Sequence, residues 1–408
     1  MTDREILRSL ATRVRDIAQR PEMAERRARW VKHNQLAGDG RPMVLCFPEG
    51  AWDEVLPPES CQCVDPLFRR WESQLRKCVH VADVLKTDQV IEPYFDMRWH
   101  VTVGDYGVFV PVTHGDNRGS YAWEPPLTDI ERDLAKLHFR PLSVDRDATL
   151  RELQLAGEMF GDLLAPRIHG MHWWTLGLTW EAIKLIGLEQ IMLAMYDQPD
   201  ALHKLMAFLR DEHLHFIEWF EREGLLTDNT GAGDYVGSGG VAALHDGPVK
   251  DGPVKLSEMW GFAESQETVG ISPAMFDEFV LPYQKPLLEK FALNYYGCCE
   301  QLEQRFEKVA AGVPRLRRVS VAPHAHQRKL AEQIAGKYVF CRKSDPVPVC
   351  VGFNEEAIRA DLRQTLDAAR GQTFELILKD THTVEREPWR LARWVGIARD
   401  EIARAGLG

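Results

Sequence analysis

Seven short apolar runs, each stopping at a polar or glycine-rich turn and followed by a helix-forming stretch, constrain this chain most. They end near Arg167-Ile168-His169-Gly170, Leu225-Leu226-Thr227-Asp228-Asn229, Met259-Trp260-Gly261, Tyr296 to Glu300, Val319 to His324, Tyr338 to Lys343, and Leu376 to His382. One more run comes from the N-terminal region, where Met43-Val44-Leu45-Cys46-Phe47 stops at Pro48-Glu49-Gly50. Strand, loop and helix in repetition call for a parallel sheet with right-handed crossovers. No glycine-rich dinucleotide fingerprint follows any run. That favours an α/β fold of the (β/α)8 TIM-barrel type over a doubly wound sheet. In such a barrel the residues just past the strands gather at one mouth, where active sites form.

Residues 1–40 read as an N-terminal helical extension and 41–408 as the barrel. Residues 51–88 look helical again, with Cys61 and Cys63 in a loop. Val90 to Asp96 reads as a strand end carrying an acid. Alternation from Val101 to Val110 predicts a β-hairpin insert between Trp99 and Pro126. A glycine-rich region at 231–255 contains a tandem repeat, Asp246 to Lys250 and Asp251 to Lys255. It reads as a surface loop over the mouth, and the repeat itself as a duplication without a role.

The net charge of -11, with no Lys/Arg-rich run, argues against nucleic acid and anionic membranes as partners. No apolar run reaches the length of a membrane span, and the N-terminus lacks a signal-peptide core. Eight cysteines in such a chain point to reduced thiols or metal ligands. The expectation is a cytoplasmic enzyme.

Three constellations carry the chemistry. In Tyr296-Gly297-Cys298-Cys299-Glu300 two thiols and a carboxylate follow a strand, a good place for a soft metal. If the chain stays extended, Cys298 and Glu300 share a face and Cys299 points away, which makes Cys298 the thiolate ligand. In Lys379-Asp380-Thr381-His382-Thr383 the same parity pairs Asp380 with His382, a third zinc ligand or a turn-capping imidazole. In His169-Gly170-Met171-His172-Trp173-Trp174 two His and two Trp suggest an aromatic substrate wall or a core-facing Trp pair. Asp96, Asn229, Trp260, Glu264, His324, Cys341 and Lys343 join the candidates by position near the mouth.

From about residue 40 onward the chain resembles the uroporphyrinogen decarboxylase superfamily, in particular its corrinoid-dependent methyltransferases. The resemblance rests on Tyr296 to Glu300, Leu316 to Pro323, Tyr338 to Pro346 and Ile377 to Thr383. It implies a barrel with its site at the C-terminal mouth and a zinc site of the form His-x-Cys with a distant third ligand. Here Tyr296-Gly297-Cys298 stands with Tyr in place of His, and His382 falls near the distant ligand, so Cys298, Glu300 and His382 are the implied zinc set. The implied reaction moves a methyl group between a small methylated substrate or thiol acceptor and a separate corrinoid protein. Asp96, His169, His172 and Asp380 are the catalytic candidates. Trp173, Asn229, Trp260, Glu264, His324 and Lys343 would bind substrate, and a homodimer stays open. The alternative is a metal-free decarboxylase that uses Asp96 and His382. The loop Phe47 to Trp52 lacks the arginines that would grip an anionic tetrapyrrole, which counts against it.

Overall fold

The computed structural model describes residues 1–114 and 121–407. The first forty residues form two helices rather than one. Asp3–Ala18 opens on a Thr2/Glu5 capping box, and Pro21–Asn34 starts at a proline, whose missing N–H suits the first helical position. Their apolar faces, including Leu7, Val14 and Trp30, are buried in the common core.

The strands in chain order are β1 (Met43–Cys46), β2 (Tyr94–Met97), β3 (His100–Val103), β4 (Val112–His114), β5 (Tyr121–Trp123) and β6 (Leu142–Asp145). They continue as β7 (Ala165–Ile168), β8 (Trp260–Ala263), β9 (Leu293–Tyr296), β10 (Leu316–Val321), β11 (Val339–Lys343) and β12 (Phe374–Leu378). A six-stranded parallel sheet runs β1-β12-β11-β10-β9-β8, and β2 pairs in parallel with β7. β1, β8, β11 and β12 are buried at every position. Parallel strands covered by helices on one side and barrel interior on the other are expected to be so. The architecture is α/β and consistent with a TIM-type barrel. Between β1 and β2 the edge is bridged by Asp88, whose N–H donates to Val44 O (2.8 Å) and whose carboxylate accepts Val44 N–H (2.7 Å).

Two expectations are corrected. Leu225 to Asn229 forms no strand. Side chains hold it instead: Thr227 Oγ1 accepts Gly170 N–H (3.0 Å), and the Asn229 amide closes two bonds on the Trp260 backbone (2.9 and 3.1 Å). The alternating stretch after Trp99 splits as well. β3 pairs antiparallel with β6, beyond the expected insert, while β4 and β5 make the hairpin, whose residues 115–120 lie outside the described ones.

The glycine-rich region is likewise not a surface loop at its start. Val236 N–H bonds Gly240 O (3.0 Å), closing a tight turn whose glycines sit at positive φ: Gly237 at 61°, Gly239 at 115° and Gly240 at 117°. A Cβ on Gly237 would lie 2.2 Å from Tyr295 Cδ1, and one on Gly240 2.7 Å from Glu375 Oε1. The turn therefore reaches the parallel sheet and meets side chains of β9 and β12. Ser238 at its tip is buried. Of the tandem repeat, Asp246, Pro248, Lys250, Asp251, Gly252, Pro253 and Lys255 are exposed. No helix among the described residues is long and apolar enough to cross a membrane.

Gly237→Ala adds both a clash and a strained φ, so it should cost about 2 kcal/mol or more of unfolding free energy. Urea unfolding of the variant beside the wild type measures this. An unchanged midpoint would mean that the turn does not pack against Tyr295.

Candidate active site

β9 ends at Tyr296, which is fully buried and donates its hydroxyl to Gln284 Oε1 (2.8 Å). Gly297 then takes φ 96°, and a Cβ there would lie 2.6 Å from Leu302 Cδ1. Only glycine fits that bend. It ends the extended chain, and with it the parity argument that turned Cys299 away. The two sulfurs lie 3.6 Å apart, with Cys298 buried and Cys299 exposed.

Cys298 meets groups from two other elements. Lys343, the last residue of β11, is fully buried and places Nζ 3.2 Å from Cys298 Sγ. Ser238 donates its hydroxyl to the same sulfur (3.0 Å) and accepts from Lys343 Nζ (2.6 Å). A buried ammonium is costly unless its protons find acceptors; here they find an oxygen and a sulfur. The Cys299 thiol bond does most to lower the Cys298 pKa, and Lys343 and Ser238 assist. Together they outweigh burial and bring Cys298 down to about 6. Cys299 moves the other way, because giving its proton to the Cys298 sulfur favours its neutral form. Cys298 is the thiolate of the pair, since it lies nearer to Nζ than Cys299 does at 4.0 Å.

Glu300 and Glu264 surround this sulfur. Glu300 is buried and accepts Cys298 N–H (2.7 Å), Ser265 N–H (2.8 Å) and the Ser265 hydroxyl (3.3 Å), so it braces the loop. Glu264, just after β8, is fully buried, and Gly177 leaves the room that it needs. Burial raises its pKa well above the usual range, and the charges of Glu267 and Glu300, then Cys298, raise it further. The Gln266 N–H, which its Oε2 accepts (3.0 Å), works against that rise without cancelling it. Past β12, Lys379 lies 3.3 Å from Glu49 Oε1 and 3.9 Å from Asp380 Oδ1. Burial lowers the Lys379 pKa, but those carboxylates and Cys298 together raise it on balance.

The remaining expected residues are placed as follows. Asp96 is paired with Arg167, its partner across β2 and β7 (2.6 Å). His169 Nε2 bonds Asp234 Oδ1 (2.6 Å); burial lowers its pKa, and Asp234 more than compensates. His172 stacks on Phe220 (4.7 Å), and burial brings it down to about 4. Trp173 packs edge-on against Phe216 and Phe220 of helix Pro199–Arg222. His172 and Trp173 are thus part of a packed aromatic cluster, while Trp174 stays exposed beside Phe262 (5.4 Å). Asn229 ties the chain to Trp260, which is buried and donates its indole N–H to Ala242 O (3.0 Å). Cys341 accepts the Tyr295 hydroxyl inside the core (3.2 Å). His324 is exposed, and its carbonyl accepts from Gln301 Nε2 (2.8 Å). Asp380 sits at φ 58° and donates its N–H to Glu49 Oε2 (2.6 Å).

The donor set as it stands does not fit a zinc ion. Glu300 already receives three hydrogen bonds, Lys343 Nζ occupies the cationic position beside Cys298, and His382 is exposed against Gly50. Among the described residues no three His, Cys, Asp or Glu side chains form a metal-holding group. Ser238 and Glu49 were not expected in the site, and Cys299 and Lys379, though they lie in expected stretches, had been given no role there. The one legible trace of Ser238 is its setting in Gly237-Ser238-Gly239-Gly240, where glycines mark a close backbone approach.

No family model matches the sequence, and no curated protein matches it significantly. Among solved structures it is similar to a methyltransferase from Methanosarcina mazei. The identity is 13%, the likeness covers 93% of this chain and 99% of that one, and the TM-score is 0.52. At that identity the likeness concerns the fold.

Thiolate absorbance near 240 nm, read against Cys298→Ser, should titrate with a midpoint near 6, below the ordinary value of about 8.5. Lys343→Met should move the midpoint up by at least about one unit. A midpoint above about 8 in the wild type would contradict the arrangement.

Proposed function

We propose that the protein is a methyltransferase acting on a small methylated substrate or thiol acceptor together with a separate corrinoid protein. The observation that carries this reading is the opposition of two groups at the exits of neighbouring strands. The surroundings raise the Glu264 pKa after β8 and lower that of Cys298 after β9. Pairs of groups whose environments push their pKa values apart mark acid and base assignments. The similarity in fold to a methyltransferase points the same way.

The corrinoid belongs to the partner, and when bound it supplies the metal centre that exchanges the methyl group. No residue of this chain is assigned to hold it. The residues of the mouth do the rest. As the bond from the methyl carbon to its heteroatom breaks, that atom gains an electron pair and needs a proton. In this reading Glu264 gives it, its pKa raised first by burial and then by the charges of Glu267, Glu300 and Cys298. Lys343 and Ser238 keep the thiolate ionised and fixed. In the reverse direction the same groups would take the proton from a thiol acceptor. Preorganised charges of this kind act most strongly where water is excluded.

The test is methyl transfer with a panel of corrinoid proteins and methylated substrates, followed by the corrinoid spectrum. Glu264→Gln and Cys298→Ser should each lower the rate roughly a hundredfold with the fold preserved. Full activity in both variants would remove the site from the reaction. Loss of CO2 from a pyrrole acid, without methyl transfer, would replace the reading with decarboxylation.

A further inference from the structure

At the opposite end of the barrel, where β1 begins, lies a cavity of about 150 Å³ lined by Arg29, Lys32, His33, Asp39, Arg41 and Met43. Its charge is unusual for this chain. The total is acidic, and the other arginines of the same helix region are engaged: Arg20 with Asp83 (2.8 Å), Arg26 with Gln89 O (3.1 Å) and Arg27 with Glu92 (3.6 Å). Among the described residues the side chains of Arg29, Lys32 and Arg41 have no hydrogen bond or ion pair. Arg29 Nη2 is buried with no acceptor at all.

A basic residue near the end of helix Pro21–Asn34 suits the helix dipole. That does not explain a buried donor left without a partner, nor Arg41, which lies outside the helix. Leaving such a group unsatisfied costs free energy that an anionic acceptor would return. The single acid, Asp39, uses one oxygen to accept Arg41 N–H (3.1 Å). His33 turns Nε2 inward to Glu375 (3.0 Å), and Arg318 offsets that carboxylate (3.1 Å), so the inner wall adds no free negative charge. At about 30 Å³ per water the cavity holds about five waters, too small for a nucleotide-sized ligand. It suits a tetrahedral oxyanion gripped by guanidinium forks.

We propose that this pocket binds phosphate, free or as the phosphoryl end of a small molecule, on the face opposite the mouth. Calorimetric titration of the full chain with inorganic phosphate, phenyl phosphate and phenol tests it. Inorganic phosphate should bind and phenol should not. Binding of phenyl phosphate as well would assign the site to phosphoryl groups, and failure of phenyl phosphate to the free anion. Arg29→Gln and Arg41→Gln should each weaken binding by roughly tenfold or more. Arg41 is exposed, so its variant reads binding even if the Arg29 variant folds poorly. No heat with phosphate in the wild type, or equal binding in the wild type and Arg41→Gln, would overturn the proposal.

Discussion

A lysine ammonium with no exposure to solvent sits at the end of β11, and the mouth is arranged around its needs. Desolvating an unpaired charge costs several kcal/mol, so the chain must bring acceptors to it. It does so from two distant segments: Ser238 on the inserted glycine turn and Cys298 beyond the bend at Gly297. Each of these then depends on a local backbone rule. The turn works because three glycines let main chain approach Tyr295, Ile377 and Glu375, and the bend because Gly297 accepts a positive φ. Packing, backbone freedom and charge are therefore one constraint here.

The same arrangement gives the mouth its chemistry. A cation and two donors stabilise one anion, the Cys298 sulfur, while Glu264, one strand over, is buried beside the carboxylates of Glu267 and Glu300. Opposite surroundings thus push the pKa values of a carboxyl and a thiol at neighbouring strand ends in unusual directions, one up and one down. Glu300 belongs to this frame as a brace. Its oxygens fix the loops after β8 and β9 relative to each other, which sets how Cys298 and Glu264 are placed.

Much of the fold was legible in the sequence because buried parallel strands are written as short, nearly unbroken apolar runs. β10, β11 and β12 lie where such runs stop. Leu225 to Asn229 has the same composition but pairs through Thr227 and Asn229 side chains, a distinction that hydrophobicity does not encode. At the site, Cys298, Lys343 and Glu264 were found from their positions after strands. Their partners were not, since Ser238 lies 60 residues from Cys298 in sequence and Lys343 acts on a sulfur from another strand. Parity failed at Cys299 because it assumes extended backbone, and one glycine ends that. The His172-Trp173 pair shows that a wall and a packed cluster share one sequence pattern; only the helix carrying Phe216 and Phe220 decides between them.

The claim on which the account rests is that Cys298 and Lys343 are an ion pair inside the folded chain. A double-mutant cycle on unfolding free energy, with Cys298→Ser, Lys343→Met and both together, measures it most directly. The lowered Cys298 pKa means that its contribution is present above the unfolded thiol value of about 8.5 and fades as pH falls through the folded value. The account predicts a coupling of about 2 kcal/mol near pH 9 that shrinks near pH 5. Additivity within about 0.5 kcal/mol at both pH values would contradict it.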